Sequence, residues 1–168
     1  MKENALRLAL SLFELAKRYC FILLGVGLAL MLFTSRYQFA INVTDSLPGT
    51  IFLIDKKDKA VSRGRYVAFR WKGAAPVPDS VTVIKRVAGI EEDQVTVINR
   101  TVFINGQKVG VAKTHSQSGE PLTAASDTII PHGYFYASAE HPDSFDSRYA
   151  KPGLISTSAV RGRAILLW

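Results

Sequence analysis

Residues Tyr19 to Ser35, YCFILLGVGLALMLFTS, form an uncharged apolar run between Arg18 and Arg36. A helix of about 17–25 apolar residues can cross the hydrocarbon layer of a membrane, and this run has 17. The segment before it has four basic and two acidic residues, and such positive charge keeps a flanking segment in the cytoplasm. The sequence therefore predicts a basic cytoplasmic N-terminus at 1–18, a transmembrane signal anchor at 19–36 and an extracytoplasmic domain at 37–168.

Two other interpretations of the apolar run fit the sequence less well. A cleaved signal peptide needs small residues at positions −3 and −1 of a cut site, and the LFTSRYQFAIN segment has no Ala-x-Ala pattern. A buried core helix conflicts with the flanking arginines and with the density of apolar residues. We therefore expect an anchor that stays attached to the chain.

From residue 37 onward, short apolar runs alternate with turn residues, which is typical of β-strands. Asn105-Gly106, between VFI and QKV, is a strong signal for a two-residue hairpin. No long amphipathic helix is predicted after the anchor, so the expected fold class is one all-β domain behind a single transmembrane helix. The predicted strands are Thr50–Ile54, Tyr66–Trp71, Ser80–Ala88, Gln94–Ile98, Thr101–Ile104, Gln107–Val109, Gly133–Ser138 and Arg163–Trp168.

Composition excludes several classes of protein. With 168 residues, of which 48% are hydrophobic and 21% charged, the chain is neither disordered nor long enough for two large domains. A single cysteine, Cys20, excludes a disulfide scaffold, and His115, His132 and His141 lack the spacing of a metal-ligand pair. The net charge of +7 favours anionic partners such as membrane lipid. The basic residues are scattered without interleaved aromatic residues, which argues against nucleic acid as a partner.

The first candidate for chemistry is Ser46, in the segment Asn42–Gly49 with the sequence NVTDSLPG. Pro48-Gly49 predicts a tight turn before a strand, and a hydroxyl on such a turn is exposed and held in one pose. The alternative is an ordinary turn serine that bonds to its own backbone. The segment alone does not separate the two interpretations.

The second candidate is Lys85, in the predicted strand SVTVIKRVA. Because side chains alternate along a strand, Lys85 shares a face with Val81, Val83 and Val87. One interpretation is a lysine that protects an edge strand from aggregation. The other is an amine that its apolar neighbours remove from water, which lowers its pKa and lets it accept a proton from a serine hydroxyl.

Four segments, taken together, resemble the type I signal peptidase family, and within it the conjugative-transfer signal peptidases of the TraF type. That resemblance implies a coiled β-sheet or barrel and a Ser/Lys dyad. The segments are Asp45–Gly49 for the nucleophile box, Arg63–Phe69 for the hydrophobic strand box, Val83–Gly89 followed by Asp93 for the general-base box, and Ser144–Tyr149 followed by Gly162-Arg-Ala for the last box.

The resemblance also implies a role for each matching residue. Ser46 would be the nucleophile, Lys85 the general base and Ser144 the serine that orients the lysine. The Thr44 hydroxyl and the N–H of Ser46 would form the oxyanion hole. Asp146 and Arg148 would form an ion pair beside the site, for which a capped turn with a surface ion pair is the alternative. No cofactor and no metal are implied.

By the same resemblance, the chain would be a serine endopeptidase of a bacterial inner membrane, with its catalytic domain in the periplasm. It would remove leader peptides from exported precursors that carry small residues at −1 and −3. Arg65, where the family usually has aspartate, and Ser138–His141, in place of Gly-Asp-Asn-Arg, favour the branch that matures a conjugative pilin, by hydrolysis or by cyclisation. The alternatives are a housekeeping signal peptidase and a non-catalytic anchored β-domain that scaffolds an envelope complex.

Two segments could touch the membrane surface. Trp71 and the C-terminal Ile165–Trp168 could insert into the interface, where tryptophan is favoured, or could pack in the core. The basic run Lys56–Lys59, with Arg63 and Arg65, is interpreted as a solvated face that could contact anionic lipid.

Overall fold

The computed structural model describes residues 2–43, 46–72, 78 and 80–168, with side chains from residue 6 onward. The chain forms two compact units, Met1–Tyr37 and Gln38–Trp168. The first unit is dominated by α1, a helix over Lys2–Arg36. Its apolar part, Leu6–Arg36, is long and apolar enough to cross a membrane, with a mean hydropathy of 1.8 and no buried residues. The helix therefore begins well before the apolar run and includes most of the basic N-terminal segment 1–18.

In the rest of the described chain, the regular secondary structure is almost entirely β-strand, which confirms the all-β prediction. The one helical element after Arg36 in the described ranges is a 3-10 turn over Thr157–Ala159. The strands are β1 (Tyr37–Ile41), β2 (Ile51–Asp55), β3 (Tyr66–Arg70), β4 (Thr82–Gly89), β5 (Gln94–Ile98), β6 (Thr101–Ile104), β7 (Gln107–Val111), β8 (Thr128–Ile129), β9 (Tyr134–Ser138), β10 (Ile155–Ser156) and β11 (Val160–Leu166).

The strands form two sheets. The larger has seven strands in the order β1-β2-β11-β3-β4-β9-β10, and the smaller has four in the order β7-β6-β5-β8. Gln38 on β1 and Thr82 on β4 line one cavity, although three strands separate β1 from β4 in the sheet. The large sheet is therefore strongly curved. Because β4 lies between β3 and β9, the interpretation of Lys85 as an edge-strand lysine is wrong.

Three apolar clusters form the core. The first surrounds Trp71 with Phe69, Val87 and Phe135, and Trp71 is only 1% exposed. Trp71 is therefore a core residue and does not insert into a membrane interface. Trp168, by contrast, is 80% exposed. The second cluster includes Phe52, Ile54 and Ala164, and the third includes Val95, Val102, Ile104, Ile130 and Tyr136.

The structure adds three strands that the sequence pattern does not predict: β1, β8 and β10. The last two have only two residues each, which is too short for a period-two pattern to show. The C-terminal strand also begins earlier than predicted, at Val160, and contains a bulge between Val160 and Gly162. Burial still alternates through this part of the strand, with Val160, Gly162 and Ala164 buried and Arg161 exposed.

Candidate active site

The segment that carries Ser46 is held by hydrogen bonds from Asn42. Its side-chain Nδ2 donates to the carbonyl oxygens of Leu47 and Gly49, both at 3.2 Å, and its backbone N–H donates to the carbonyl of Thr50 at 2.8 Å. Leu47 is buried, and Gly49 has a φ of +86°, a conformation that favours glycine. Ser46 therefore projects, half-buried, from a fixed turn.

The supporting role of Asn42 was not predicted from the sequence. An asparagine near a Pro-Gly pair was the available signal, since asparagine amides often bond to the backbone in turns. The partners lie five and seven residues further along the chain, so only the folded turn identifies them.

Lys85 is buried on the interior strand β4, with 7% of its surface exposed. It lies opposite Val67 of β3, which is fully buried. Its Nζ donates a hydrogen bond of 2.7 Å to Oγ of Ser144, a residue that is itself 4% exposed. Burial lowers the pKa of the Lys85 amine below its ordinary value, and the carboxylate of Asp146 opposes this shift only in part. Burial therefore shifts the equilibrium toward the neutral amine, which can accept a proton.

The loop that supplies Ser144 is organised by an ion pair between Asp146 and Arg148. Arg148 Nε and Nη2 each approach a different carboxylate oxygen of Asp146 at 2.9 Å. Both side chains are buried, so the surface-ion-pair alternative is wrong. Arg148 Nη2 also donates to the carbonyl oxygens of His141 and Ser144 at 3.0 Å, and Asp146 accepts from the N–H of Ala139. These bonds hold the backbone on both sides of the serine that accepts from Lys85.

Ser46, Lys85 and Ser144 line one cavity of about 710 Å³. Its walls come from residues 38–43, which include β1, from the start of β4 and from the loop after β9. The backbone of His141 connects the two sides, because its N–H donates to the carbonyl of Ser46 at 3.4 Å and its carbonyl accepts from Arg148. The fold thus brings a serine hydroxyl and a buried amine to one cavity from positions 39 residues apart in the sequence.

One expected residue of the site, Thr44, lies outside the described residues. The sequence predicts that its hydroxyl contributes to an oxyanion hole. Within the described residues, no group of three His, Cys, Asp or Glu side chains could hold a metal ion.

Arg65 and the segment Ser138–His141, which depart from the family pattern, make the following contacts in this fold. Arg65 lies 3.5 Å from the carboxylate of Asp58, and both side chains are partly exposed. Arg63, in the same segment, contacts both oxygens of Asp93 at 2.6 and 2.7 Å. In the segment Ser138–His141, Glu140 lies 3.7 Å from Arg86, and His141 lines the cavity.

The chain was compared with known proteins. A family model described as signal peptidase, peptidase S26, matches residues 12–168, which include every site residue described above. No curated protein matches the chain. Among solved structures, a signal peptidase I from Enterococcus faecalis V583 is 24% identical, with a TM-score of 0.39, and the match covers 63% of this chain and 97% of that one.

Proposed function

Because this chain belongs to the signal peptidase family, peptidase S26, and is a serine protease that removes leader peptides from precursor proteins, we propose that Ser46 is its nucleophile and Lys85 its general base. One observation carries the proposal: the Lys85 amine is buried, donates to Ser144 and lines the same cavity as Ser46. A buried amine with a lowered pKa is a suitable base for a serine hydroxyl.

The proposed reaction is acyl transfer. Neutral Lys85 takes the proton of the Ser46 hydroxyl while the serine oxygen attacks the carbonyl carbon of the scissile bond. The N–H of Ser46 and the Thr44 hydroxyl hold the oxyanion, and each such donor contributes about 2.7–4 kcal/mol to the transition state. The lysine ammonium then gives its proton to the leaving amine. Water, deprotonated by Lys85, releases the acyl group and restores the free enzyme.

We assign positioning roles to the residues behind Lys85. Ser144 accepts a hydrogen bond from the amine and so fixes the direction in which Nζ points. Asp146 and Arg148 hold the loop that carries Ser144 through their buried ion pair and its bonds to the backbone. None of these three needs to contact the substrate for the role proposed.

We further propose that the precursor is a conjugative pilin and that the cleavage occurs on the periplasmic side of a bacterial inner membrane. The two departures from the family pattern, Arg65 and Ser138–His141, support the pilin branch. The basic segment 1–18, before the uncharged run Tyr19–Ser35, supports a cytoplasmic N-terminus. Family membership excludes the non-catalytic scaffold that the sequence left open.

The test is mass spectrometry of precursors co-expressed with the enzyme. A conjugative pilin precursor should lose its leader with the wild type and stay intact with Ser46→Ala or Lys85→Met, because each variant lacks one member of the dyad. Ser118→Ala and Lys108→Met are matched controls at exposed positions and should process the pilin normally. A mature product that lacks one further water would show cyclisation.

Two outcomes would contradict these assignments. Normal processing by a folded Ser46→Ala or Lys85→Met variant would show that these two residues are not the catalytic dyad. If the enzyme cleaves several unrelated secretory precursors efficiently and leaves the pilin precursor intact, its role is that of a housekeeping signal peptidase and the pilin assignment is wrong.

A further inference from the structure

A second cavity, of about 470 Å³, adjoins the catalytic cavity and is lined by positive charge. It shares three lining residues with the catalytic cavity, namely Gln38, Ile54 and Thr82. Among the residues the structure describes, none of its lining side chains is acidic. We call it the basic recess, and its cationic residues are Lys56, Lys59, Arg70 and Arg161.

The fold brings these cations together from different strands. Arg70 ends β3 and lies opposite Thr82 of β4, and Lys56 directly follows β2. Arg161 lies in the bulge of β11, between Val160 and Gly162. Because side chains alternate along a strand, Arg161 is exposed and lines the recess while its neighbour Val160 is buried in the core.

Three cations of the recess, Lys59, Arg70 and Arg161, lack a carboxylate partner within the described residues. All three are exposed. The nearby carboxylate of Asp58 lies against Arg65 and Arg163 instead, at 3.5 and 3.9 Å. Like charges that converge in a concave surface create a local positive potential that attracts an anionic group.

We propose that the basic recess is a substrate subsite that binds an acidic side chain of the precursor close to its scissile bond. This rests on the proposed function, because it takes Ser46 and Lys85 as the point of cleavage. The shared lining favours a polypeptide over a lipid headgroup as the ligand. An extended chain in the catalytic cavity advances about 3.3 Å per residue, so a side chain a few residues from the scissile bond can reach the recess. Arginine also binds carboxylates through two hydrogen bonds.

The test uses the full-length protein in a neutral detergent and a series of leader peptides. Each peptide carries Asp, or Asn as its uncharged match, at one position on either side of the scissile bond. At one or two positions the Asp peptide should have a kcat/KM about fivefold higher than the Asn peptide at low salt, and the ratio should fall with added salt. In the double variant R70E/R161E this ratio should fall below one, and a Lys peptide should be preferred. Lys108→Glu, an exposed residue of the small sheet, should keep the wild-type ratio.

Binding to the inactive variant Ser46→Ala separates this proposal from the proposed function. Fluorescence anisotropy should show tighter binding of the Asp peptide than of the Asn peptide. R70E/R161E should reverse this order, whether or not the dyad is correct. Equal Asp-to-Asn ratios in the wild type and in R70E/R161E would overturn the subsite. If R70E/R161E loses binding to phosphatidylglycerol vesicles while its Asp-to-Asn ratio is unchanged, the recess is a lipid site and the proposed subsite is wrong.

Discussion

At the scale of single residues, Lys85 depends on its surroundings for its chemistry. An exposed lysine is an ammonium at neutral pH and cannot accept a proton. In this fold Val67 lies opposite it, and Ser144 is the acceptor that its Nζ contacts. Removal from water lowers the pKa of the amine, which makes a base of a residue that is ordinarily an acid.

The activity should therefore rise with pH. The ammonium form of Lys85 is inactive and the amine is active, so kcat/KM for a leader peptide should increase as the proton leaves. Because burial lowers the pKa of Lys85, the profile should level off below 10.5, the ordinary value for lysine. Kinetics from about pH 6 to about pH 11 would measure this, with Lys108→Met as a control that keeps the profile. A bend at the ordinary lysine value would show that the base is solvated.

The same shift affects stability. Between the lowered pKa of Lys85 and 10.5, the unfolded chain binds a proton that the folded protein has released. The contribution of Lys85 to the free energy of unfolding should therefore increase with pH across this window and be constant above it. The Lys85→Met variant should lack this dependence of the free energy of unfolding on pH.

At the scale of elements, the turn that carries Ser46 depends on the last strand of the chain. The carbonyl of Trp168 accepts hydrogen bonds from the N–H groups of Thr50 and Ile51, at 2.6 and 2.8 Å. A Cβ on Gly49 would lie 2.2 Å from Cδ1 of Leu166 and 3.0 Å from the carbonyl oxygen of Trp168. The C-terminal segment therefore packs directly on the turn, which explains why only glycine fits there.

Gly49→Ala and Gly106→Ala form a matched pair that separates backbone strain from crowding. Both glycines have positive φ, +86° and +78°, but a Cβ on Gly106 would meet no atom within 4 Å. Gly106→Ala should cost about 1–2 kcal/mol from backbone strain alone, and Gly49→Ala should cost more and also reduce kcat. Thermal unfolding in detergent and peptide kinetics would measure both. Equal losses of stability and activity in the two variants would show that the C-terminal segment does not support the turn.

Most strands could be predicted from the sequence, because alternation and turn residues are local signals. The hairpin of β6 and β7 around Asn105-Gly106 was expected, and both central residues have positive φ, 49° and 78°. The position of a strand within a sheet is not a local property. The alternation that placed Lys85 among valines was therefore equally consistent with an edge strand and with the interior strand that the structure shows.

At the scale of the whole molecule, charge around α1 predicts the orientation of the protein. The basic residues of segment 1–18, before the uncharged run Tyr19–Ser35, should keep the N-terminus in the cytoplasm, so the unit Gln38–Trp168 should lie outside. Because Cys20 is the single cysteine, it can be replaced by serine and a new cysteine introduced elsewhere. A membrane-impermeant maleimide should label Lys108→Cys in intact spheroplasts, and should label Lys2→Cys only after lysis. The reverse pattern would place the catalytic unit in the cytoplasm.

The sequence by itself determined the apolar helix and the all-β class, because both follow from the order of apolar and polar residues along short stretches. It also supplied the candidates Ser46 and Lys85, without deciding what surrounds them. Only the tertiary structure decided that Lys85 is buried, that its partner is Ser144, 59 residues away, and that the Asp146–Arg148 pair is internal. Burial and contact between distant segments depend on how strands are ordered and curved, and no local pattern contains that information.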